Sequence, residues 1–268
     1  MRLVVLAGVG AAIAVMASPA SAQQTSRLEK KVDPFAVSFS TGLDYSSGGY
    51  GAAEKTDILV VPFSLRATTG NVAFTATLPY IRIDGPGGVV VGPGGEPLPG
   101  VPSTSGTRNG LGDLSLGATY TIPAETFGGF ELGLGGRVKL PTSSQRKGLS
   151  TGETDFSFSA DLSYTAGAVT PFVNLGYRFL GDPEAINLRN GPTASVGASV
   201  LLGGSSVLIA SYDYARASSN LAEDSHELFG GISAPLSSRL NLTGYGILGL
   251  SEGSPDVGVG LLLTARIF

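Results

Sequence analysis

Apolar and polar residues alternate at every second position in about a dozen stretches of this chain, and one parity usually carries the apolar set. Phe35, Val37, Phe39, Thr41, Leu43 and Tyr45 stand against Ala36, Ser38, Ser40, Gly42, Asp44 and Ser46. Successive side chains of a strand point to opposite faces, so such a segment makes a strand with one greasy and one small, polar face. The same pattern recurs with Phe156, Phe158, Ala160, Leu162 and Tyr164 against Asp155, Ser157, Ser159, Asp161 and Ser163. A soluble sandwich would turn the greasy faces into a shared core. A membrane barrel would turn them to lipid and line a lumen with the polar ones.

Composition separates the two. Charged residues make up 14% of the chain, against about 25% in an average soluble domain, and the mean hydropathy is +0.24. No uninterrupted apolar run reaches the ~20 residues of a helical span, so the greasy surface is carried by strands. The start reads as a secretory signal: Met1 and Arg2, an apolar stretch over residues 3–16, and Ala20-Ser21-Ala22 as a cleavage site. Residues 1–22 are then expected to be removed, leaving residues 23–268 as a single domain. The chain has no cysteine, which excludes thiol chemistry and a lipid-attachment cysteine. A net charge of −4 and a pI near 5.0 speak against nucleic acid as a partner, since that needs a basic face.

Strands are expected at residues 35–46, 57–68, 71–83, 109–122, 129–140, 153–164, 170–180, 193–202, 206–216, 226–234, 239–250 and 256–268. Those at 206–216 and 239–250 carry apolar residues on both parities. Pro62 has no N–H to give to a ladder, which predicts a bulge or break in the second strand. The connections alternate: 69–70, 123–128, 165–169, 203–205 and 235–238 are short, whereas 47–56, 84–108, 141–152, 181–192, 217–225 and 251–255 are mostly longer and richer in Gly, Pro, Ser and charge. With both termini periplasmic, every short link falls on the periplasmic side, as an even-stranded outer-membrane barrel requires. Phe268 supplies the terminal aromatic such barrels present to the insertion machinery, although Arg266 departs from an apolar residue two places earlier. The expected fold is therefore all-β: a transmembrane antiparallel up-and-down barrel of about 12 strands with a narrow lumen. Its place would be the outer membrane of a Gram-negative cell, in contact with outer-membrane lipid.

Charges on the polar parity are the candidate lumen-lining residues: Asp113, Glu131, Arg137, Lys139, Asp155, Asp161, Asn174 and Arg178. Antiparallel neighbours would bring Arg137 and Lys139 near Glu153 and Asp155. These groups either meet a passing solute or brace a polar interior. His226, the one histidine, has Asp224, Ser225 and Glu227 beside it. Immediate neighbours on a strand point apart, however, whereas a catalytic triad must converge, so no catalytic residue is expected. Neither a metal site nor a cofactor is expected: the carboxylates lack calcium-loop spacing, and Gly85-Pro86-Gly87-Gly88 and Gly92-Pro93-Gly94-Gly95 lack the Lys-Ser/Thr of a phosphate loop.

Four segments resemble the outer-membrane family of the MetA pathway of phenol degradation. They are Gly110-Leu111-Gly112-Asp113, Lys139-Leu140-Pro141-Thr142, Thr151-Gly152-Glu153-Thr154-Asp155 and Asn174-Leu175-Gly176-Tyr177-Arg178-Phe179, within residues 108–183. Ser143 stands where the family usually has Gly. The resemblance implies export to the outer membrane and passage of small compounds, hydrophobic or aromatic ones included. A channel or uptake protein for a small-molecule solute is thus the expected function. A structural or adhesion barrel with a sealed lumen and an outer-membrane lipid hydrolase are the rivals.

Overall fold

A computed structural model of the chain describes residues 35–50, 54–86, 89–91, 97–99, 106–184, 187–203 and 205–268. The expected signal segment lies outside them, as does most of the glycine-rich stretch 85–95. The strands are β1 (Ala36–Gly48), β2 (Thr56–Thr69), β3 (Val72–Gly85), β4 (Val89–Val91), β5 (Pro97–Pro99), β6 (Gly106–Leu111), β7 (Leu114–Ile122) and β8 (Phe130–Leu140). They continue with β9 (Asp155–Tyr164), β10 (Val169–Phe179), β11 (Gly191–Leu202), β12 (Ser206–Ala215), β13 (Ser225–Pro235), β14 (Leu240–Gly249) and β15 (Val257–Arg266).

Each strand of the large sheet pairs antiparallel with its neighbour in sequence, and β1 pairs with β2 on one edge and β15 on the other. The sheet therefore closes on itself. β6 and β7 occupy one position, both against β3, so the barrel has twelve staves. β4 and β5 form a separate hairpin. The expected strand starting at residue 109 begins earlier, at Gly106, and is interrupted at Gly112-Asp113. There the Gly112 N–H keeps contact with β3 by donating to the Pro79 carbonyl at 2.8 Å.

Pro62 does not break its strand. β2 runs through it, and the β1–β2 pairing holds one register from Thr41↔Phe63 to Asp44↔Val60, with no inserted residue. Pro62 faces Pro79 across β2 and β3, and the Pro79 carbonyl is turned away from β2 to accept from the Gly112 N–H, so the two prolines form a pair that exchanges no ladder bonds and their missing N–H groups fall on the β1 side and beside the break at Gly112. The ladder opens only on the β1 side, opposite Gly42, where β1 leans on β15; a Cβ on Gly42 would lie 2.1 Å from the Leu261 carbonyl oxygen.

The faces are inverted relative to a soluble protein. On β9, Phe158 is 59% exposed on the outer face while Asp155 and Asp161 are buried at 6% and 7% on the inner one. Ser40, Ser199 and Thr170 are likewise buried inside, whereas Phe74, Phe156 and Leu175 stand out. Aromatic pairs edge the apolar band. Phe35–Phe268 and Phe130–Tyr164, at 5.9 and 5.1 Å between ring centroids, mark the rim of the termini and short links, the periplasmic one in the expected orientation, and Tyr177–Phe179, at 4.9 Å, the opposite, extracellular one. Such girdles sit where hydrocarbon gives way to water. The C-terminus is tied into the wall, since the Val37 N–H donates to the Phe268 carbonyl at 2.9 Å.

Two apolar clusters nevertheless point inward: Phe172, Ile209, Phe229, Tyr245 and Ile247 on β10, β12, β13 and β14, and Ile58, Val60, Ile81, Ile83 and Leu149 toward the extracellular mouth. They explain why the segments at 206–216 and 239–250 are apolar on both parities. The rings lie flat over glycines of the neighbouring strands. A Cβ on Gly197 would sit 2.7 Å from Phe172 Cζ, and one on Gly260 2.1 Å from Tyr245 Cζ.

A cation on the outer face at mid-membrane costs about 2–4 kcal/mol, so Phe158→Lys should lower the fraction that folds into lipid vesicles, read as the heat-modifiable band on gels. Phe158→Leu should fold like the parent. Equal folding of the lysine variant would show that this face does not meet hydrocarbon.

Candidate functional site in the barrel lumen

Lys139, next to the last residue of β8, is the centre of the extracellular mouth. Its Nζ lies 3.0 Å from Asp113 Oδ2 and 2.8 Å from Asp155 Oδ2, with the three side chains 13%, 8% and 7% exposed. Register supplies one partner, because Lys139 faces Asp155 across β8 and β9. The break between β6 and β7 supplies the other by turning Asp113 inward. Arg137 and Glu153, expected in the same pairing, are not brought together: Arg137 faces Ser157, four residues from Glu153.

Asp113 also holds the loop that follows β8. It accepts from Ser150 Oγ at 2.6 Å and from the Ser143 N–H at 3.0 Å. Ser143 Oγ donates to the Leu111 carbonyl at 2.5 Å, and the Leu114 N–H donates to Thr142 Oγ1 at 2.9 Å. Side chains of this loop thus stitch it to β6 and β7 where β8 has ended. A 3-10 turn at Gln145–Lys147 reverses the chain, and Leu149, 2% exposed, is set down on Ile81 and Ile83. Ser143 anchors the loop through both its N–H and its hydroxyl.

The other predicted residues lie on the inner face at different depths. Glu131 is near the periplasmic end of β8, opposite Ser163. Asp161 and Asn174 face each other on β9 and β10, and Asn174 Nδ2 donates to Asp161 Oδ1. Arg178, buried near the extracellular end of β10, donates from Nη2 to the Arg216 carbonyl at 2.6 Å. Sequence reasoning passed over further charges on the same face: Asp44, Arg66, Arg108, Asp213, Glu227 and Arg266. Tyr245 Oη donates to Asp44 Oδ2 at 2.5 Å, and Ser211 and Ser225 donate to Asp213 and Glu227 at 3.0 and 2.8 Å. Strand parity was the available signal for all but Arg108, which lies outside the expected strand at 109–122 and out of step with Asp113, since the inward parity switches across the break between β6 and β7.

His226 and Ser225 do not converge. Ser225 is buried inside with Glu227, while His226 turns outward, where Nδ1 meets Tyr212 Oη at 2.5 Å and its ring lies 5.2 Å from that of Tyr214. Asp224, in the loop before β13, accepts from Tyr214 Oη at 2.7 Å and the Ala217 N–H at 2.8 Å. Partial burial works to raise this carboxyl, but those two bonds together with the charges of Arg216 and His226 hold it below the usual carboxylate range. The cluster fixes the extracellular rim of β12 and β13.

The family model described as "Putative MetA-pathway of phenol degradation" matches residues 25–267. The chain belongs to this family. The segments that carried the resemblance are thus the centre of a match spanning the barrel. No curated relative matches the chain. Among solved structures, an outer membrane channel from Pseudomonas putida F1 is similar at a TM-score of 0.69 and 12% identity, over 88% of this chain and 97% of that one. The translocator domain of the autotransporter NalP from Neisseria meningitidis has a TM-score of 0.52 at 14% identity, over 91% and 92% of the two chains. The Pseudomonas putida toluene transporter TodX gives 0.51 at 10% identity, over 99% and 96%. At such identities the likeness is one of fold.

Removing the cation from the Lys139 network leaves two buried carboxylates without compensation, a change that costs about 3–5 kcal/mol in buried pairs. Lys139→Met should therefore lower the midpoint of thermal unfolding in detergent, and adding Asp113→Asn and Asp155→Asn should recover part of the loss. An unchanged midpoint would show that the network does not hold the mouth.

Proposed function

We propose that this protein is a passive outer-membrane channel for small organic solutes, hydrophobic and aromatic compounds among them. The observation that carries this reading is the inverted wall, which keeps arginine, lysine and carboxylate side chains on the inner face of a closed barrel. Isolated charges are expensive to bury without water or partners, and a solvated lumen supplies the water. The family description, which refers to phenol degradation, supports an aromatic solute, as does the likeness to a toluene transporter. Asp113, Glu131, Arg137, Lys139, Asp155, Asp161, Asn174 and Arg178 are then the polar groups a solute meets. The protein acts by admitting solutes and catalyses no reaction. Residues 1–22 are cleaved on export, and Phe268 is presented to the insertion machinery before the barrel closes in outer-membrane lipid.

Planar-bilayer recording of the purified protein in KCl tests this. Discrete conductance steps are expected, with a changed step size in Asp161→Asn and Arg137→Gln that fold normally. Flat traces would favour a sealed structural barrel. Identical steps in all three would reduce those charges to bracing.

A further inference from the structure

Of the inward arginines named above, all but Arg108, which faces Ile83, lie in one row. In the cross-strand register, Arg266 on β15 and Arg66 on β2 both face Ser38 of β1. Arg66 continues through Thr75 of β3 to Gly117 of β7, which faces Arg137 on β8. Arg137 and Arg178 of β10 both face Ser157 of β9. Four arginines thus share one cross-strand row, with one strand between Arg266 and Arg66 and between Arg137 and Arg178, and two strands between Arg66 and Arg137. Because barrel strands tilt against the axis, the row climbs from the periplasmic end of β15 to the extracellular end of β10. It contains no carboxylate, although the chain as a whole carries a net charge of −4.

Three of the inward carboxylates share a second row, outside which Asp44, Glu131 and the Asp113–Asp155 pair held by Lys139 lie. Asp161 faces Asn174, which leads through Ser195 to Asp213, and Asp213 faces Glu227. On β9 the two rows lie four residues apart, about 13 Å at ~3.3 Å per residue. The intervening row carries Gly135, Ser159, Gly176 and Thr193 and no charge. Like charges gathered on a low-dielectric wall focus the field toward the opposite sign.

The inward aromatic cluster completes the arrangement. Phe172, Ile209, Phe229 and Tyr245 occupy β10 to β14, the arc that the closed strand order sets opposite β2, β3, β7 and β8. Depth matches as well. Arg66 and Arg137 lie three and seven residues from the periplasmic ends of their strands, and the aromatic cluster falls within the same range. Asp213 and Glu227 lie on the extracellular side of Ile209 and Phe229 on the same strands, so they repel an anionic group from the aromatic side. Guanidinium groups match carboxylates in geometry and charge, and ring faces suit a flat apolar body.

We propose, building on the channel reading, that the lumen is a binding track for aromatic carboxylates, with the ring on the Phe172, Phe229 and Tyr245 arc and the carboxylate on Arg66 and Arg137. Rings of cationic side chains select anions in other pores, and the row supplies the same charge here in spiral form.

The test uses the full-length purified protein in planar bilayers under a KCl gradient, with benzoate and the uncharged benzyl alcohol as probes. The zero-current potential should report preference for chloride over potassium. Arg66→Gln combined with Arg137→Gln should bring the permeability ratio toward unity, and Arg137→Lys should retain most of it. Benzoate should reduce the chloride current while benzyl alcohol at the same concentration does not, and Phe229→Ala should weaken the benzoate effect while keeping the anion preference. A conducting protein that prefers potassium, or whose selectivity is the same in the Arg66 and Arg137 variants, overturns the track and leaves the channel standing. Equal effects of benzoate and benzyl alcohol also overturn it. If the double variant fails to insert, Arg66→Gln alone decides by the same ratio. A protein without conductance overturns both the channel and the track.

Discussion

Hydrocarbon offers no hydrogen bonds, so every N–H and C=O of a spanning strand must be met by another strand, and a sheet in lipid can have no free edge. In this chain that requirement is met at β1, which pairs from Ser38 to Ser47 with β15 and from Ala36 to Gly48 with β2, the latter open only at Gly42 and Leu43 beside Pro62. Once the sheet is closed, the two parities of each strand are assigned to lipid and to the interior. The inversion of apolar and polar faces, the aromatic rims and the enclosed charges all follow from that assignment. Pro62 shows where the pairing yields: its missing N–H falls on the β1 side, and the ladder opens there, opposite Gly42, while the register is kept on both sides of the gap.

Most of the barrel was legible in the sequence because the period of two is dictated by the backbone and the lipid face demands apolar residues almost without exception. The ends of Phe130–Leu140, Asp155–Tyr164 and Ser206–Ala215 fall within two residues of the segments expected from alternation. Legibility failed where side chains, rather than the period, decide the path. The break at Gly112-Asp113 is invisible to alternation, because what makes it tolerable is a set of distant bonds to Ser143, Ser150 and Lys139. The descent of Leu149 onto Ile81 and Ile83 rests on the same anchors. The inward rings were half visible: the segments holding Ile209 and Tyr245 are apolar on both parities, but only the register places them on the arc facing Arg66 and Arg137.

The interior therefore differs from a uniformly polar pipe. Lys139 holds two carboxylates at the mouth, four arginines follow one row, Asp161, Asp213 and Glu227 another, and the rings gather on the arc between β10 and β14. Sorting of this kind costs stability, since like charges in one row repel, and a barrel needing only bracing gains more from alternating signs. The same fold serves a toluene transporter and an autotransporter's translocator domain, so fold leaves the function open and the inner wall has to carry the argument.

The central claim is that one parity of each strand meets water and the other meets lipid. Because the chain has no native cysteine, single cysteines at each position from 156 to 163 can be introduced and the reconstituted proteins treated with a charged, water-soluble thiol reagent. The account predicts labelling at 157, 159, 161 and 163 and protection at 156, 158, 160 and 162. Labelling without alternation, or with the opposite parity, would contradict it.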